Sequence, residues 1–313
     1  MTQFLTLNDL SDFYAQVSLA KSIKANPYQF ELLGKHKTLG LLFFNPSLRT
    51  RLSMQKAGRL LGMDVMVMNF SNEAWAIEYE DATIMEGLRS EHVKEAAQVV
   101  SQYCDVVGIR AFATLTDKEK DESEQVLQKF IEYASVPILN MESATAHPLQ
   151  ALADALTLSE QSLPKKPKVV LTWAPHPKAL PHAVGNSFTR MMQHMNADFV
   201  IANPEGYDLD TRITKDINVV HNQNEALKDA DIVYAKNWSS YKQYGQILRT
   251  DNEWMLTTEK MALTANAKFM HCLPIRRNVV VADGVLDHPN SIVIEQANNR
   301  TFAAAAVLKS LIE

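Results

Sequence analysis

Cysteine is scarce in this sequence, since Cys104 and Cys272 are the only two among 313 residues. Two cysteines cannot form the set of disulfides that stabilises small secreted proteins, so we expect a reducing compartment, the cytoplasm. Cys104 lies in an apolar segment and is expected to be a small buried hydrophobic residue. No cluster of cysteine and histidine has the spacing of a metal site, and we expect no bound metal.

Long apolar runs and an excess of positive charge are also missing. No apolar run approaches the roughly 20 residues that cross a bilayer. The first residues, MTQFLTLNDLSDFYAQ, do not have the pattern of an export signal. The net charge is −5 and the isoelectric point is about 6.0, which argues against binding to nucleic acid. We therefore expect neither a membrane nor a nucleic acid among the partners.

The sequence also lacks the glycine-rich loop of nucleotide-binding proteins. Its ten glycines form no G-x-G-x-x-G motif, so we expect no dinucleotide cofactor. The first apolar strand, LGLLFF, runs directly into NPSLRTR, which contains no glycine either. An anion at this turn would have to be bound mainly by side chains.

Short apolar segments alternate with amphipathic segments along the chain, and this alternation predicts an α/β fold. Parallel strands buried on both faces read as continuous apolar runs, with helices between them. Helical patterns cover 51–61 and 91–103, for example. The predicted strands are 39–44, 64–68, 105–109, 137–140, 168–173, 198–202, 231–235, 267–271 and 291–294.

A change of pattern near 150–167 indicates a boundary between two domains. A helical segment, 148–159, leads into SLPKKPK, and a new strand follows. We predict two doubly wound parallel-sheet domains, 1–150 and 151–299, bridged by helix 148–159. The alanine-rich segment 300–313 is predicted to be a helix that packs back on the first domain.

The turn after the first predicted strand has the donors of an anion site. Ser47 is a good helix N-cap, and Arg49, Thr50 and Arg51 fall in the first helical turn. Arginines oppose the positive end of the helix dipole, and a bound anion would offset that cost. A solvated, capped helix start is the alternative. Guanidinium and hydroxyl groups together favour phosphate.

Two more candidate sites follow predicted strands in the first domain. Arg110 ends the strand VVGI, where a surface salt bridge is the alternative. His147 and Gln150 lie three residues apart at the start of helix 148–159, with Pro148 at its first position. Both side chains can donate to a carbonyl oxygen, although a capping arrangement would use the same residues.

The fourth candidate is the segment HCLPIRR, which begins at His271 and ends another apolar strand. Cys272 could be a small buried residue there. Two adjacent arginines, Arg276 and Arg277, favour a functional role for the segment as a whole.

These four segments, in this order, resemble the signatures of the carbamoyltransferase family. They are Ser47–Arg51, Arg110, His147–Gln150 and His271–Pro274, and the resemblance covers essentially the whole chain. It implies a first domain that binds carbamoyl phosphate and a second that binds an amino acid. It also implies a homotrimer whose active sites are shared between subunits.

The resemblance assigns the phosphate group to the turn. The side chains of Ser47, Arg49 and Thr50 would bind it, together with the backbone amide of Leu48. Arg110 would bridge the phosphate and the carbonyl oxygen.

The carbamoyl group would be bound by His147 and Gln150, with His147 polarising the carbonyl as an oxyanion donor. Arg276 would lie near this site. Trp75, in SNEAWAIE, falls in the loop that such enzymes lend to a neighbouring subunit, although an exposed tryptophan could equally pack at an interface.

The acceptor depends on Lys236 in the segment YAKNWSS. Ornithine enzymes of the family have an aspartate there, which binds the α-ammonium of free ornithine. A lysine would repel that ammonium but suits a carboxylate, so the resemblance points to an Nα-acylated ornithine. The segment TWAPHPKAL, Thr172–Leu180, matches the same branch.

By this resemblance His176 and Lys236 would bind the α-carboxylate, and Glu142 the amide N–H. Cys272 and Leu273 would lie near the attacking δ-nitrogen, with Arg276 close by. The proton of that nitrogen would pass to the leaving phosphate or to Cys272, and the sequence leaves both open.

The acyl group depends on the residue before the Glu91–His92 pair. Acetyl enzymes of this branch have a glutamate there and a lysine in the C-terminal helix, whereas succinyl enzymes tend to have proline and no such lysine. This chain has Ser90 and, near the lysine position, Ala305. The missing acid and lysine favour N-succinylornithine; the alternatives are N-acetylornithine, ornithine, aspartate, or a non-catalytic phosphoanion-binding protein of the same fold.

Overall fold

Two separate five-stranded sheets, each with parallel pairing throughout, organise the chain in this computed structural model. The structure describes residues 1–313, except for the side chain of Ser71. One unit comprises Met1–Thr114, Glu119–Leu156 and Asn298–Glu313, and the other comprises Leu115–Lys118 and Thr157–Ala297.

The first unit holds one sheet and a short two-stranded pair. The strands are β1 Gln3–Phe4, β2 Thr38–Phe43, β3 Asp64–Asn69, β4 Ile77–Glu78, β5 Glu91–His92, β6 Val106–Arg110 and β7 Ile138–Glu142. The order in the sheet is β1-β7-β6-β2-β3, and β4 pairs with β5. The carboxyl ends of β2, β6 and β7 therefore lie side by side, the edge at which α/β sheets bind ligands.

Helices of the first unit follow its strands in sequence. After a 3₁₀ helix at Leu7–Asp9 come α1 Phe13–Ala25, α2 Arg49–Leu60, α3 Phe70–Glu73, α4 Val93–Tyr103, α5 Lys118–Glu122, α6 Gln125–Tyr133 and α7 Pro148–Ser159. Val93, Ala97, Val107 and Phe130 join α4, α6 and β6 in one buried cluster. Burial of these apolar faces stabilises the unit at roughly 25 cal/mol per Å².

Cys104 follows α4 directly, and its side chain lies beside Gly40 of β2. It is 9% exposed, and a Cβ at Gly40 would lie 2.6 Å from its sulfur. Only glycine fits beside the thiol, so Cys104 is a buried packing residue, as its apolar segment predicted.

The second unit is a five-stranded sheet in the order β10-β9-β8-β11-β12. Strand β11 pairs with β8 on one side and with β12 on the other. The strands are β8 Lys168–Trp173, β9 Asp198–Ala202, β10 Asn218–Val220, β11 Ile232–Lys236 and β12 Lys268–Met270. Its helices are α8 Ala183–Met192, α9 Thr211–Thr214, α10 Gln223–Leu227, α11 Thr258–Met261 and α12 Asp283–Leu286. The last helix, α13 Val293–Ile312, belongs to this unit only up to residue 297.

Besides the short helix α5, which is divided between residues 118 and 119, two long helices contain a boundary between the units. The division falls inside α7, between residues 156 and 157, and inside α13, between residues 297 and 298. The sequence placed these boundaries at 150 and 299, with helix 148–159 as the bridge. The C-terminal part of α13 is almost wholly buried, and the carbonyl of Ile312 accepts a hydrogen bond from the Lys37 ammonium at 2.5 Å.

The α/β prediction is confirmed, and eight of the nine predicted strands lie within two residues of the observed ones. The strand predicted at 291–294 is wrong. Ser291 makes a single bridge to Phe269, and α13 begins at Val293. Its apolar residues look like a strand, but Ile294 is 69% exposed while Ile292 and Gln296 are buried, which is helical periodicity. No helix among residues 1–313 is long and apolar enough to span a membrane.

Candidate active site

The turn between β2 and α2 is built from its own side chains. The Ser47 hydroxyl accepts a hydrogen bond from the Thr50 amide at 3.3 Å, but the N-cap of the helix that begins at Arg49 is Leu48, one residue after the predicted Ser47. Arg51 donates to Asn69 at 3.1 Å and thus supports the turn from the side of β3. Leu48 is 66% exposed.

Arg110 connects the end of β6 to the same turn. Its guanidinium donates to the carbonyls of Asn45 at 3.0 Å and Pro46 at 2.6 Å, and lies 3.3 Å from the Glu142 carboxylate. Arg110 is 7% exposed, so this is a buried ion pair and not a surface one. Burial lowers the pKa of Arg110, against the opposing effect of Glu142, and the Arg49 charge lowers it further.

The Nε of Arg110 is buried and has no hydrogen-bond partner among the residues that the structure describes. A buried donor left in this state costs free energy, and such groups in native proteins call for an explanation. An anionic ligand at the turn would satisfy it.

His147 lies against both Glu142 and a residue that the sequence analysis missed. Its Nε2 is 3.4 Å from the Glu142 carboxylate and 3.4 Å from the guanidinium of Arg300. Arg300 also donates to the Thr50 hydroxyl at 2.6 Å. All four side chains belong to the first unit, and His147, Thr50 and Arg300 are at most 6% exposed.

Arg300 was missed because nothing local marks it as functional. It lies in α13, which is otherwise rich in alanine. A signal was present: Gln296, Asn299 and Arg300 are spaced three or four apart, on the face that continues into Ala303 and Val307, and all five are buried. Polar residues on a buried helix face need partners. Gln296 accepts from the His271 amide and Asn299 from the Lys24 ammonium, whereas Arg300 donates to Thr50 of the turn.

Gln150 has one end of its amide fixed by its own helix. Its Nε2 donates to the Asp154 carboxylate at 2.7 Å, one turn along α7. The sequence predicted that Gln150 donates to a carbonyl oxygen. In the structure its NH₂ group donates to Asp154 instead, and the buried amide oxygen Oε1 is the atom that could accept from a ligand.

The loop before His147 is held by a single carboxylate, that of Glu124. It accepts hydrogen bonds from the Ser143 hydroxyl at 2.8 Å, the Thr145 hydroxyl at 2.6 Å, the Thr145 amide at 2.8 Å and the Ala144 amide at 3.3 Å. Glu124 adopts a left-handed backbone conformation with φ of 53°. Non-glycine residues hold that conformation at a cost, here offset by four hydrogen bonds.

A second group of predicted residues lies at the carboxyl ends of β8, β11 and β12 in the second unit. Lys236 is the last residue of β11 and is 9% exposed. His176 follows β8, and its Nε2 accepts a hydrogen bond from the Arg276 Nε at 3.3 Å. The three side chains therefore form a cationic group at one edge of the second sheet.

His176 is held neutral by this environment. Burial lowers its pKa, and the charges of Lys236 and Arg276 lower it further, against a hydrogen bond to the Lys178 backbone that raises it. A neutral imidazole is also what the hydrogen bond from Arg276 requires, since a protonated Nε2 could not accept it.

Cys272 and Leu273 follow β12. Cys272 is 8% exposed, and Leu273 has φ of 56° and precedes a cis peptide bond to Pro274. The Leu273 amide donates to His271 Nδ1 at 2.8 Å, and the His271 amide donates to Gln296 at 2.9 Å. These bonds fix the backbone that carries the thiol.

Trp75 and Ser90 lie in an exposed part of the first unit. Trp75 is 59% exposed, and its indole N–H donates to Glu91 at 2.7 Å. The Ser90 amide donates to the Ala76 carbonyl at 3.1 Å, next to the pairing of β4 with β5. Both residues therefore lie beside the short β4–β5 pair.

Two family models match this chain, one in the N-terminal half and one in the C-terminal half. The carbamoyl-P binding domain of the family "Aspartate/ornithine carbamoyltransferase" matches residues 2–160, and its Asp/Orn binding domain matches residues 181–311. The chain belongs to the aspartate/ornithine carbamoyltransferase family.

Carbamoyltransferases similar to this one include acylornithine enzymes. N-succinylornithine carbamoyltransferase of Bacteroides thetaiotaomicron is 47% identical over 100% of this chain and 99% of the relative. N-acetylornithine carbamoyltransferase of Xanthomonas axonopodis pv. citri is 38% identical over 99% of this chain and 96% of the relative.

A solved structure has the same architecture. It is a glutamate-to-alanine variant of N-acetyl-L-ornithine transcarbamylase complexed with carbamyl phosphate and N-succinyl-L-norvaline. Its TM-score is 0.92 at 37% identity, with 99% of this chain and 100% of that chain covered. The carbamoyltransferase activity expected from the motifs is thereby confirmed at the level of the family.

The predicted site residues of this carbamoyltransferase divide between the units. Thr50, Arg110, His147 and Glu142 come together in the first, joined by Arg300, while His176, Lys236 and Arg276 come together in the second. Glu142, expected near the acceptor, is paired here with Arg110 and His147. The described residues contain no group of three histidine, cysteine or acidic side chains placed to hold a metal.

Proposed function

We propose that the chain transfers the carbamoyl group of carbamoyl phosphate to the δ-amine of N-succinylornithine, giving N-succinylcitrulline and phosphate, in arginine biosynthesis. The observation that carries the first half is the convergence of Thr50, Arg300, His147 and Arg110 at the carboxyl ends of β2, β6 and β7. These groups offer two guanidinium forks, a hydroxyl and an imidazole beside a capped helix start, which suits a small acyl phosphate.

Carbamoyl phosphate would bind first, with its phosphate on Ser47, Arg49, Thr50 and the Leu48 amide. The neutral δ-amine then attacks the carbamoyl carbon, and negative charge develops on the carbonyl oxygen. Donors already fixed in a buried site stabilise that charge without reorganising, and His147 and Arg110 are such donors.

The C–O bond to phosphate breaks as the tetrahedral intermediate collapses. Phosphate leaves with the bonding electron pair, and the guanidinium groups compensate its charge. The proton released by the δ-nitrogen goes to the departing phosphate or to Cys272.

The acceptor half rests on the cationic group of Lys236, His176 and Arg276. Lys236 is nearly buried, so an anionic group beside it would gain a charge-assisted hydrogen bond, whereas the ammonium of free ornithine would be repelled. An acylated nitrogen carries no such charge. Glu142 would accept the amide N–H, and Cys272 and Leu273 would lie near the δ-nitrogen.

Succinyl is favoured over acetyl by Ser90. A glutamate at this position would repel the terminal carboxylate of a succinyl group, and serine does not. A glutamate-to-alanine variant of the acetylornithine enzyme is in complex with an N-succinyl ligand.

The decisive experiment offers carbamoyl phosphate with ornithine, N-acetylornithine or N-succinylornithine and measures the ureido product. We expect the highest kcat/KM with N-succinylornithine. A preference for free ornithine would contradict the role of Lys236 in selecting an acylated ornithine. A preference for N-acetylornithine would contradict the role of Ser90 in favouring the succinyl group. If no acceptor gave a ureido product, the result would support the alternative of a non-catalytic phosphoanion-binding protein.

A Ser90→Glu variant tests the acyl selector directly. It should lower kcat/KM for N-succinylornithine more than for N-acetylornithine, with Ser90→Ala as the neutral control. An unchanged ratio of the two constants would place the selector elsewhere.

We also propose a homotrimer with shared active sites in the cytoplasm. Exposed apolar side chains of the first unit support an interface: Leu48 and Leu52, one helical turn apart, are 66% and 59% exposed, and Ile84 and Leu88 are 82% and 97% exposed. Neither cysteine forms a disulfide, as expected in a reducing compartment.

Subunit mixing tests the shared site. If Trp75 acts in a neighbour's site, Trp75→Ala and His147→Ala trimers are each nearly inactive, but dissociating and reassembling them together restores part of the activity. No recovery in mixtures shown by mass to be hybrid trimers contradicts sharing.

A further inference from the structure

Asp154 is a carboxylate in the interior of the first unit that the mechanism above does not use. It lies in α7 and is 0% exposed, and Gln150, one turn earlier, is 1% exposed. The two side chains are joined by the hydrogen bond from Gln150 Nε2 to Asp154 Oδ1, at 2.7 Å. Aspartate is rarely buried this completely, so its position calls for a physical reason.

The hydrogen bond determines which way the Gln150 amide faces. The NH₂ end of the amide donates to Asp154 Oδ1, so the amide oxygen faces away from the carboxyl group. That oxygen, Oε1, is buried and finds no hydrogen-bond partner within the described part of the chain. A buried acceptor without a donor is costly, and a ligand N–H would relieve that cost.

We propose that Asp154 is a positioning residue that keeps the Gln150 carbonyl oxygen turned outward to accept an N–H of the carbamoyl group. The inference rests on the proposed function, because it takes carbamoyl phosphate as the ligand. Asp154 itself touches no substrate; it acts through Gln150. The pair thereby distinguishes a carbamoyl group, which has an NH₂, from other acyl groups of the same size.

Acetyl phosphate provides the matched ligand for a test, since a methyl group replaces the NH₂ of carbamoyl phosphate. Both ligands present the same phosphate to Arg49, Thr50 and Arg300. Only carbamoyl phosphate can donate to Gln150. The ratio of the two dissociation constants, measured by calorimetry without any acceptor, therefore reports the Gln150 contact alone.

Asp154→Asn is the informative variant. The substituted amide donates as well as accepts, so the Gln150 amide can reverse and direct its own oxygen at the NH₂ of the new side chain. The NH₂ end of Gln150 would then face the carbamoyl NH₂, donor against donor. We expect carbamoyl phosphate to bind about 10- to 100-fold more weakly, the range typical of losing a hydrogen bond that a site is built to make. Acetyl phosphate should change by less than about threefold.

Asp121→Asn is the matched control. Asp121 is also a buried aspartate of the first unit, and it accepts from the Thr114 amide at 2.8 Å, away from the proposed ligand-binding residues. This variant should leave the ratio of the two dissociation constants unchanged.

A double-mutant cycle separates positioning from a merely structural role. In a Gln150→Ala background the Asp154→Asn change should alter kcat/KM for carbamoyl phosphate by less than about threefold, because the residue through which Asp154 acts is gone. Equal factors in both backgrounds would show that Asp154 acts independently of Gln150 and overturn the proposal.

The outcomes also separate this inference from the proposed function. If the unaltered protein does not bind carbamoyl phosphate, both fail. If it prefers carbamoyl phosphate to acetyl phosphate and Asp154→Asn keeps that preference, only the role of Asp154 is overturned. Thermal unfolding of each variant confirms that the compared proteins are folded.

Discussion

The guanidinium of Arg300 donates to the hydroxyl of Thr50 at 2.6 Å, although 250 residues separate the two in sequence. Because Arg300 also lies 3.4 Å from His147, one side chain of the last helix connects the proposed phosphate-binding turn, Ser47–Arg51, to the proposed oxyanion donor. The connection makes α13 part of the candidate site.

Arg300→Lys should lower kcat/KM for carbamoyl phosphate about 10- to 100-fold. Lysine keeps the charge but loses the planar fork that reaches Thr50 and His147 together. Steady-state kinetics with saturating acceptor measures the change. The control is Arg59→Lys, at an exposed position of α2, which should change nothing. If Arg300→Lys behaved like the control, the guanidinium would have no role in binding.

Lys236→Met should raise the KM for the acylated ornithine about 30- to 100-fold, since truncating one partner of a buried charge pair typically costs about 2–3 kcal/mol. The dissociation constant of carbamoyl phosphate should stay within about twofold. Lys228→Met, an exposed lysine of the same unit, serves as the comparison. A larger effect on carbamoyl phosphate than on the acceptor would contradict the assignment.

Glu124→Gln should lower the free energy of unfolding by about 1–3 kcal/mol, because a neutral amide cannot accept all the hydrogen bonds that the carboxylate accepts from the 143–145 segment. It should also lower kcat, because that segment leads into His147. Chemical denaturation and initial rates measure the two effects. Glu119→Gln, at an exposed position, is the neutral reference, and equal stability of the two variants would refute the role of Glu124.

The lowered pKa of His176 predicts that the stability of the protein depends on pH. Its pKa is lowered in the folded protein by burial and by Lys236 and Arg276, so the unfolded chain takes up a proton at higher pH. The contribution of His176 is complete above about pH 6.5 and is lost as the pH falls below that value towards the folded pKa. Denaturation of the native protein and His176→Gln at pH 7.5, 6.5 and 5.5 should show a smaller loss in the variant. Parallel losses would contradict the lowered pKa.

Much of the fold could be predicted because parallel strands are buried on both faces. Strands such as β2 and β8 are apolar over nearly their whole length and read clearly in the sequence. The edge strands β1 and β10, with two and three residues, carry too little pattern to be found. The strand predicted at 291–294 failed because three apolar residues fit the start of a buried helix equally well.

The candidate site was predictable where its residues lie in local motifs. Ser47, Arg110 and His147 each follow a strand that the sequence reveals, so their placement follows from the topology. Arg300 and Asp154 could not be found in that way. Their significance comes from contacts made by tertiary packing, and neither stands in a segment with a recognisable pattern.

Because α13 supplies the last part of the first unit, it determines when that unit can be completed during synthesis of the chain. Residues up to Leu156 include Ser47, Arg110 and His147, but the first unit is completed only by Asn298–Glu313. A chain emerging from the ribosome therefore cannot finish this unit until nearly all of the second has been synthesised, and a fragment ending at 156 would leave the surface under α13 uncovered. Arg300 reaches Thr50 only at the end of translation, so the anion binding that we propose for this turn would appear together with the complete chain.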